Sequence, residues 1–340
     1  NAGFSQRWSD ALKCRFALAA ATMLLQVQGI WKAQEFAPGR ALTGHRDNVY
    51  SLAVSPDGRW VVSASEDMTA CVWDWQSGKR IARLEHAGPV YEALFSPDGR
   101  WLATADGDAK VHLYTTEGFR VARVLAGHSG PVYALAFSPE GKWLATGGGE
   151  KDHTCRIWEV GTGQLVKTLH GHTDAIYGVA FAADGTLATA SGDKTLRLWN
   201  WQRGKGPQNG ECASVMGREL RGHNSYVYRC RFSLDGKYLA SASHDRTVRI
   251  WEKESGQLVQ TLQLSKQPIY ALAFSPDGQL LACVGEEHAV RLVNWRSGQI
   301  VGTLTGAKDA LYAVHWFSAG GKTWLIYGGG ESQIVLQPMN

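Results

Sequence analysis

Apolar and small residues alternate in short runs along most of the chain, and each run ends at a turn signal. In the first run, 49–55, this alternation stops at the sequence Pro-Asp-Gly at 56–58. A period of two predicts a β-strand with one buried face, and Pro-Asp-Gly reverses the chain. Further strands are predicted at 60–65, 70–74 and 79–84. The pattern therefore predicts a unit of four short antiparallel strands.

The same unit recurs along the chain at a nearly constant period. Each unit opens with Gly-His or a degenerate counterpart, and a Val-Tyr-like pair, a Pro-Asp-Gly-like turn, an Asp and a Trp follow. The openings are 41 to 51 residues apart, and seven units extend to residue 340. Four strands in about 40–45 residues are typical of a propeller blade. The openings are His45, His86, His128, His172, His223, Ser265 and Ala307.

These recurring motifs resemble those of the WD40 (Trp-Asp) repeat family. The segments GHRDNVYSLAVSPDGRWVVSASEDMTACVWDW at 44–75 and GHNSYVYRCRFSLDGKYLASASHDRTVRIWE at 222–252 follow the family pattern almost throughout. The resemblance covers residues 39–340. It implies an all-β, seven-bladed β-propeller of four-stranded antiparallel blades, which we expect to occupy residues 36–340.

The phase of the units predicts how the ring closes. The last unit ends in a third strand at 334–339, whereas a spare fourth strand precedes the first Gly-His pair. Residues 39–43 are therefore expected to pair with the edge of blade seven. This pairing would close the ring and cover an exposed strand edge.

One set of polar residues recurs once per unit and is interpreted as structural. The resemblance implies that His, a strand Ser or Thr, the turn Asp and the Trp hydrogen-bond to one another within a blade. Such a set gives hydrogen-bond partners to buried donors and acceptors. It recurs from blade to blade, whereas an active site would occur once per chain. The sets are His45, Ser63, Asp67 and Trp73 in blade one; His128, Thr146, Asp152 and Trp158 in blade three; His172, Thr189, Asp193 and Trp199 in blade four; His223, Ser241, Asp245 and Trp251 in blade five; and, with Tyr in place of Trp, His86, Thr104, Asp108 and Tyr114 in blade two.

Composition and motifs exclude several classes of function. The 340 residues are 44% hydrophobic and 19% charged, and the net charge of +4 includes no Lys/Arg block that indicates nucleic-acid binding. No apolar stretch is long enough to span a membrane. Nucleophile elbows, phosphate loops and metal-type Cys spacings are missing from the sequence, so we expect no cofactor, no metal site and no catalysis. The six Cys are interpreted as free thiols, which favours a cytoplasmic location.

A tyrosine follows the first-strand Val, Ile or Leu in all seven units, even where the polar set is lost. The resemblance places this position at the mouth of the central channel, on the face of the Gly-His loops. It therefore implies a ring of seven phenols. Duplication of a good strand former would also explain the repetition. The tyrosines are Tyr50, Tyr91, Tyr133, Tyr177, Tyr228, Tyr270 and Tyr312.

Acidic residues are expected beside this ring, in the hairpins between the second and third strands. Blades six, seven, one, two and three are contiguous in a closed ring, so their acidic residues predict an acidic arc. Tyrosines and carboxylates suit a protein or peptide partner with a basic segment. We therefore expect an interaction scaffold, monomeric within a larger complex. The acidic residues are Glu66, Asp106, Glu150, Glu286 and Glu331.

Two alternatives to an independent scaffold remain open. A propeller enzyme, a hydrolase or a lyase, would place carboxylates or His around the channel mouth, although Tyr at that position argues against it. The chain is alternatively a regulatory domain of a larger protein.

The first 35 residues lie outside the repeats. Lys13 and Arg15 precede the apolar run 16–25, which is the layout of a signal peptide cleaved after Gly29. That layout predicts a secreted or periplasmic protein. A helix beginning near Ser9 or a translation start at Met23 would also explain the segment. Separately, the Gly- and Pro-containing stretch 202–217 predicts a surface loop in blade four.

Overall fold

The computed structural model describes residues 40–202 and 217–339, and these residues form 28 strands in seven four-stranded antiparallel sheets. The first strand of each sheet contacts the first strand of the next, and the seventh contacts the first. The described residues therefore form a closed seven-bladed β-propeller, which confirms the predicted fold. The N-terminal extension and nearly all of the 202–217 stretch lie outside the described residues.

The strands follow one another around the ring. In chain order they are β1 (Arg40–Thr43) of blade seven; β2 (Val49–Val54), β3 (Trp60–Ser65), β4 (Thr69–Asp74) and β5 (Lys79–Glu85) of blade one; β6 (Val90–Phe95), β7 (Trp101–Asp106), β8 (Lys110–Thr115) and β9 (Arg120–Ala126) of blade two; and β10 (Val132–Phe137), β11 (Trp143–Gly148), β12 (Cys155–Glu159) and β13 (Leu165–Leu169) of blade three. They continue with β14 (Ile176–Phe181), β15 (Leu187–Ser191), β16 (Leu196–Trp199) and β17 (Arg218–Leu220) of blade four; β18 (Val227–Phe232), β19 (Tyr238–Ser243), β20 (Thr247–Glu252) and β21 (Leu258–Gln263) of blade five; β22 (Ile269–Phe274), β23 (Leu280–Gly285), β24 (Val290–Asn294) and β25 (Gln299–Leu304) of blade six; and β26 (Leu311–Ala319), β27 (Lys322–Gly329) and β28 (Gln333–Met339) of blade seven.

The turn between the first and second strands is held by side chains as well as by backbone. In blade one, the Ser55 hydroxyl donates to Asp57 at 2.5 Å and accepts the Trp60 N–H at 2.8 Å. Gly58 has a φ of 69°, in the left-handed region that glycine adopts without a steric cost. The same hydroxyl-to-carboxylate bond occurs in blades two, five and six. These turns determine where each second strand begins.

The core lies between neighbouring blades. Val62 and Val72 of blade one, for example, pack with Phe95 and Leu102 of blade two in one buried cluster. Each blade therefore buries its two faces against different neighbours, and no blade has a core of its own.

The ring closes through β1. This strand pairs antiparallel with β28, with Leu42 opposite Ile334. Leu42 is 1% exposed and packs in a cluster that contains Ile334, Leu336 and Trp73. The predicted closure by an N-terminal strand is therefore confirmed, and it covers the outer edge of β28.

We predict that Leu42→Ala lowers the free energy of unfolding by about 2–5 kcal/mol, because it leaves a cavity where the two ends of the propeller meet. Thr43→Ala is the matched control. It changes an exposed residue of the same strand, and its effect should stay within about 0.5 kcal/mol. Denaturant unfolding measures both. Equal midpoints for the two variants would show that the closing strand contributes nothing to stability.

Candidate functional site

A β-bulge occurs at the tyrosine of every blade. In blade one the register of β2 with β3 shifts between Val49 and Ser51, which leaves Tyr50 unpaired. The first strands of the other six blades shift at the same position. A bulge interrupts the alternation of faces and re-aims the side chain of the extra residue. The seven bulged residues are Tyr50, Tyr91, Tyr133, Tyr177, Tyr228, Tyr270 and Tyr312.

The seven bulged tyrosines contact one another in a closed circle, which we call the tyrosine ring. Centroids of neighbouring side chains are 4.7 to 5.7 Å apart all the way round. Aromatic pairs attract one another in this distance range. Each tyrosine is therefore held by two neighbours, so the ring is a rigid aromatic surface.

The tyrosine ring surrounds a cavity of about 360 Å³. Its lining consists of the seven tyrosines and Arg229. Aromatic faces carry negative potential and attract cations, and they also suit apolar side chains. The cavity can therefore receive one side chain that is apolar along its length and cationic at its tip.

Arg229 is already paired inside the channel. Its guanidinium lies 2.7 Å from Glu92 Oε1, and the side chain of Glu92 is almost fully buried. The other oxygen of Glu92 accepts the Leu135 N–H at 2.7 Å. A second guanidinium, that of Arg231, lies 3.7 Å from the same carboxylate. Two guanidinium groups on one carboxylate leave the channel interior with an excess of positive charge.

Three tyrosines of the ring donate their hydroxyls to carboxylates. The donors are Tyr50, Tyr133 and Tyr270, and their acceptors are Glu66, Glu150 and Glu286, at 2.8, 2.8 and 2.5 Å. Burial, reinforced by these bonds, raises the pKa of the three phenols above the ordinary value. Burial also raises the pKa of Tyr228 to about 12. The ring is therefore neutral at physiological pH, with negative charge beside it.

The predicted acidic arc does not extend through blade two, where the assignment of Asp106 is wrong. Asp106 is 0% exposed. It pairs with Val90 in the sheet, as Ser65 pairs with Val49 in blade one. Asp106 therefore corresponds to Ser65 and not to Glu66, and Gly107 occupies the acidic position.

The prediction of the acidic arc is also wrong in blade seven, where it assigned Glu331. Glu331 accepts the backbone N–H of Lys308, as Asp67 accepts that of Arg46. Glu331 therefore takes the place of the structural turn Asp. The carboxylates that contact the tyrosine ring lie in blades six, one and three and do not form a continuous arc.

Further carboxylates on this face come from a position that the sequence pattern did not single out. Asp47, Asp174 and Asp309 are the second residues after the His of their units or its counterpart, and each accepts the next backbone N–H at 2.7–2.8 Å. The charges of Asp174 and Asp309 contribute, after burial, to the raised pKa of Tyr177 and Tyr312. Their only sequence signal is a shared offset from the unit opening.

The polar sets of four blades bring the His, the hydroxyl, the Asp and the Trp together, and in blades one, four and five every link is a hydrogen bond. In blade three, His128 Nδ1 lies within ion-pair distance of Asp152. In blade one, His45 Nδ1 lies 2.9 Å from Asp67, and the Ser63 hydroxyl lies 2.7 Å from His45 Nε2 and accepts Trp73 Nε1–H at 2.8 Å. In blades three, four and five, His Nδ1 lies 2.7–3.2 Å from the Asp carboxylate. His Nε2 lies 2.6–2.7 Å from the hydroxyl, and Trp Nε1–H donates to that hydroxyl at 2.9–3.0 Å. The members of these three sets are His128, Thr146, Asp152 and Trp158; His172, Thr189, Asp193 and Trp199; and His223, Ser241, Asp245 and Trp251.

Charge within these sets follows from burial. Burial lowers the pKa of His45 and His223, although the neighbouring Asp acts in the opposite direction. Burial alone would raise the pKa of Asp193, but the hydrogen bond and the charge of His172 hold it well below the ordinary value. A neutral His that donates to an ionised Asp through Nδ1 accepts the hydroxyl proton at Nε2. Each set therefore connects the loop that carries the His, the hairpin that carries the Asp, and the second and third strands, which carry the hydroxyl and the Trp.

Blade two departs from this arrangement. His86 Nδ1 lies 2.8 Å from Asp106, so the predicted pairing with Asp108 is wrong. Asp108 instead binds Lys110 Nζ at 2.6 Å. Burial would raise the pKa of Asp106, but the imidazoles of His112 and His86 hold it far below the ordinary value.

The hydroxyl of this blade is also isolated. His86 Nε2 contacts the Tyr114 hydroxyl at 3.3 Å. The buried Thr104 hydroxyl has no hydrogen-bond partner within 40–202 and 217–339. The hydrogen bonds from His through a hydroxyl to Trp, which occur in the other four blades, are therefore interrupted here.

Seven four-stranded blades, a polar set repeated in four of them and a closing strand ahead of the first blade define a repeat-built β-propeller. The model of the family "WD domain, G-beta repeat" matches residues 36–74, 78–115, 119–159, 163–200 and 214–252. The chain belongs to this WD40 family. A second model, "Anaphase-promoting complex subunit 4 WD40 domain", matches residues 263–319. WD40 propellers are typically protein-interaction scaffolds and are usually non-catalytic.

Three proteins similar to this chain have different names, and the chain covers only part of each. The chain is 30% identical over 64% of its length to the rat apoptotic protease-activating factor 1, of which it covers 13%. It is 28% identical over 67% of its length to a guanine nucleotide-binding protein subunit beta of Oryza sativa, of which it covers 61%. It is 29% identical over 66% of its length to the nuclear distribution protein PAC1-2 of Uncinocarpus reesii, of which it covers 63%. The chain thus spans less than two thirds of each relative.

The described part of the chain contains no helix with the length and apolar character that crossing a membrane requires.

Thr189 and Thr104 allow a matched test of the polar sets, because both are fully buried. Thr189→Val leaves His172 Nε2 and Trp199 Nε1 without their shared partner, and we predict a loss of about 1–3 kcal/mol of stability for each stranded group. Thr104→Val removes a hydroxyl that binds nothing in the described structure, and the change should stay within about 0.5 kcal/mol. Denaturant unfolding compares them, and equal losses would contradict the structural role of the hydroxyl.

Proposed function

We propose that the chain is a non-catalytic interaction scaffold whose tyrosine ring binds a protein or peptide through a basic side chain. The observation that carries this proposal is the closed tyrosine ring around an open cavity, with three carboxylates bonded to its hydroxyls. The family is typically a scaffold, and this ring combines aromatic anchors with negative charge around one cavity.

The tyrosines suit binding because they are already ordered. Tyrosine supplies a large contact area at a small cost in conformational entropy, and it is enriched among the residues that dominate binding energy. Because each ring packs between two others, little further freedom is lost when a partner binds. The cavity of about 360 Å³ has room for one long side chain.

The charge favours Lys or Arg at the rim of the cavity. Hydrogen bonds from Tyr50, Tyr133 and Tyr270 to carboxylates place negative charge around the aromatic faces. At the floor, the excess positive charge of Arg229 and Arg231 opposes a deeply inserted cation. We infer that the cationic tip of the ligand stays near the carboxylates while its alkyl stem contacts the rings.

Hydrolase or lyase chemistry at the channel mouth is the less favoured function. Such chemistry needs a nucleophile or a base whose pKa is near the working pH. The phenols that line the cavity have a raised pKa, and the pKa of Tyr228 is about 12. Neutral phenols bind a ligand well but are poor bases.

The setting of the scaffold is part of the proposal. One relative is named as a subunit, which supports a role for this chain within a larger assembly. Cys71, Cys155, Cys230 and Cys283 are free and buried, which supports the expected reducing, cytoplasmic location.

We predict that Tyr50→Ala, Tyr91→Ala and Tyr312→Ala together weaken binding of Lys- or Arg-bearing short peptides by about a hundredfold, since each aromatic anchor contributes roughly 1 kcal/mol or more. The same positions changed to Phe are the control, because Phe keeps the aromatic faces. The Phe variant should bind within about fivefold of the wild type, and a melting curve shows whether each variant is folded. Unchanged affinity in a folded Ala variant would refute the proposal.

The preference for basic ligands has its own test. Glu66→Gln, Glu150→Gln and Glu286→Gln together should reduce affinity for the same basic peptides by about tenfold, because each carboxylate contributes roughly 0.5 kcal/mol. The control changes three exposed glutamates in turns away from the tyrosine ring, Glu117, Glu140 and Glu254, to Gln. Fluorescence anisotropy at low salt measures both. Equal losses in the two variants would attribute the effect to net charge and not to this site.

A further inference from the structure

We propose that blade two carries a binding site for a divalent transition cation, Zn²⁺ in the first place, formed by His86, Asp106 and His112. Asp106 Oδ2 lies 2.8 Å from His86 Nδ1 and 3.3 Å from His112 Nδ1. One potential ligand atom from each residue lies within 4.8 Å of the other two. The sequence predicted no metal site, because these residues follow no familiar metal-binding spacing.

Two departures from the repeat converge at this point. Where blade two has Asp106, blades one, four and five have Ser65, Ser191 and Ser243. Where it has His112, blade one has Cys71 and blades three to six have Arg. Blades one, four and five complete their polar sets without an acid or an imidazole there. Ser and Cys or Arg at these two positions are therefore compatible with a complete polar set, although in blade two itself Asp106 is the acid that His86 contacts.

Coordination would give a partner to one buried polar atom of blade two, His112 Nδ1. His112 Nδ1 and Asp108 Oδ1 are buried and, like the Thr104 hydroxyl, have no hydrogen-bond partner among the described residues. His112 Nδ1 lies 3.3 Å from Asp106 Oδ2, within ion-pair distance. A cation bound between the two would use the lone pair of that nitrogen directly. Burial of unpaired polar atoms is otherwise a cost to stability.

The donor set and its spacing suit Zn²⁺. Two imidazoles and one carboxylate are common ligands of this cation, and tetrahedral coordination at about 2.0–2.2 Å places the ligand atoms about 3.3 Å apart. The two distances from Asp106 already lie within about 0.5 Å of that separation. The side chains of His86 and Asp106 are 0% exposed, whereas that of His112 is 19% exposed. His112 is therefore the member of the set through which solvent is nearest to the site.

The local charge favours a cation. Asp106 and Asp108 supply two negative charges, and Lys110, which is bound to Asp108, supplies one positive charge. The ligands also come from three segments of the blade. His86 precedes β6, Asp106 ends β7 and His112 lies in β8. A bound cation would link these segments where the hydrogen-bonded set is interrupted.

The test uses the full chain without an affinity tag, freed of metal by a chelator. We expect the wild type to bind one Co²⁺ per chain, with the visible absorption of a tetrahedral site, and one Zn²⁺ that displaces it. The melting temperature should rise with Zn²⁺. The variants His112→Arg and Asp106→Ser restore the residues of other blades, so they are designed to fold. Each should lose more affinity than the roughly 10–100-fold that follows loss of an outer-shell partner.

His153→Asn is the matched control, because it removes a half-buried His from the neighbouring blade. It should bind both cations as the wild type does. The proposal is overturned if the wild type binds no Co²⁺ or Zn²⁺ at micromolar concentration. It is also overturned if His112→Arg, shown to be folded by its melting curve, binds them with unchanged affinity.

Discussion

Pairing of β1 with β28 is the interaction on which the rest of the molecule depends. Because each blade buries both faces against neighbours, the stability of every blade depends on a complete ring. Closure also determines the width of the channel. Seven first strands around one axis bring their bulged tyrosines to 4.7–5.7 Å from each other. The aromatic surface is therefore a consequence of ring closure and not of any single blade.

Two kinds of repeated residue have different roles within this ring: the polar sets stabilise each blade, and the tyrosines with their carboxylates form its surface. The polar sets connect the loop that opens a blade to the hairpin between its second and third strands, as His45 and Asp67 do. The same hairpin carries Glu66, which accepts the Tyr50 hydroxyl. A set buried inside the blade thus positions a charge at its surface. Blade six keeps such a contact through Glu286, although Glu287 and Val293 have replaced its structural Asp and Trp.

Repetition explains how much could be predicted from the sequence. The number of blades and the closing strand follow from the phase of the units, whereas the resemblance to the WD40 family was needed to place the tyrosines at the channel mouth. The acidic positions required the register of each hairpin, and a shift of one residue moves a side chain to the other face of a sheet. Asp106 and Glu331 were misplaced for that reason. The ion pair of Arg229 with Glu92 joins residues 137 positions apart across the channel, and no local pattern indicates such a contact.

Blade two shows why departures from a repeat are informative. In blades one, four and five the set is satisfied by one His, one hydroxyl, one Asp and one Trp, so a random substitution would leave a buried atom unpaired. Here the Trp position holds Tyr114, the Thr104 hydroxyl is isolated, and yet Asp106 and His112, two side chains of types that can ligate a metal, enter from different strands. Independent losses would scatter through the blade. Their convergence on His86 is better explained by a ligand that replaces the lost hydrogen bonds.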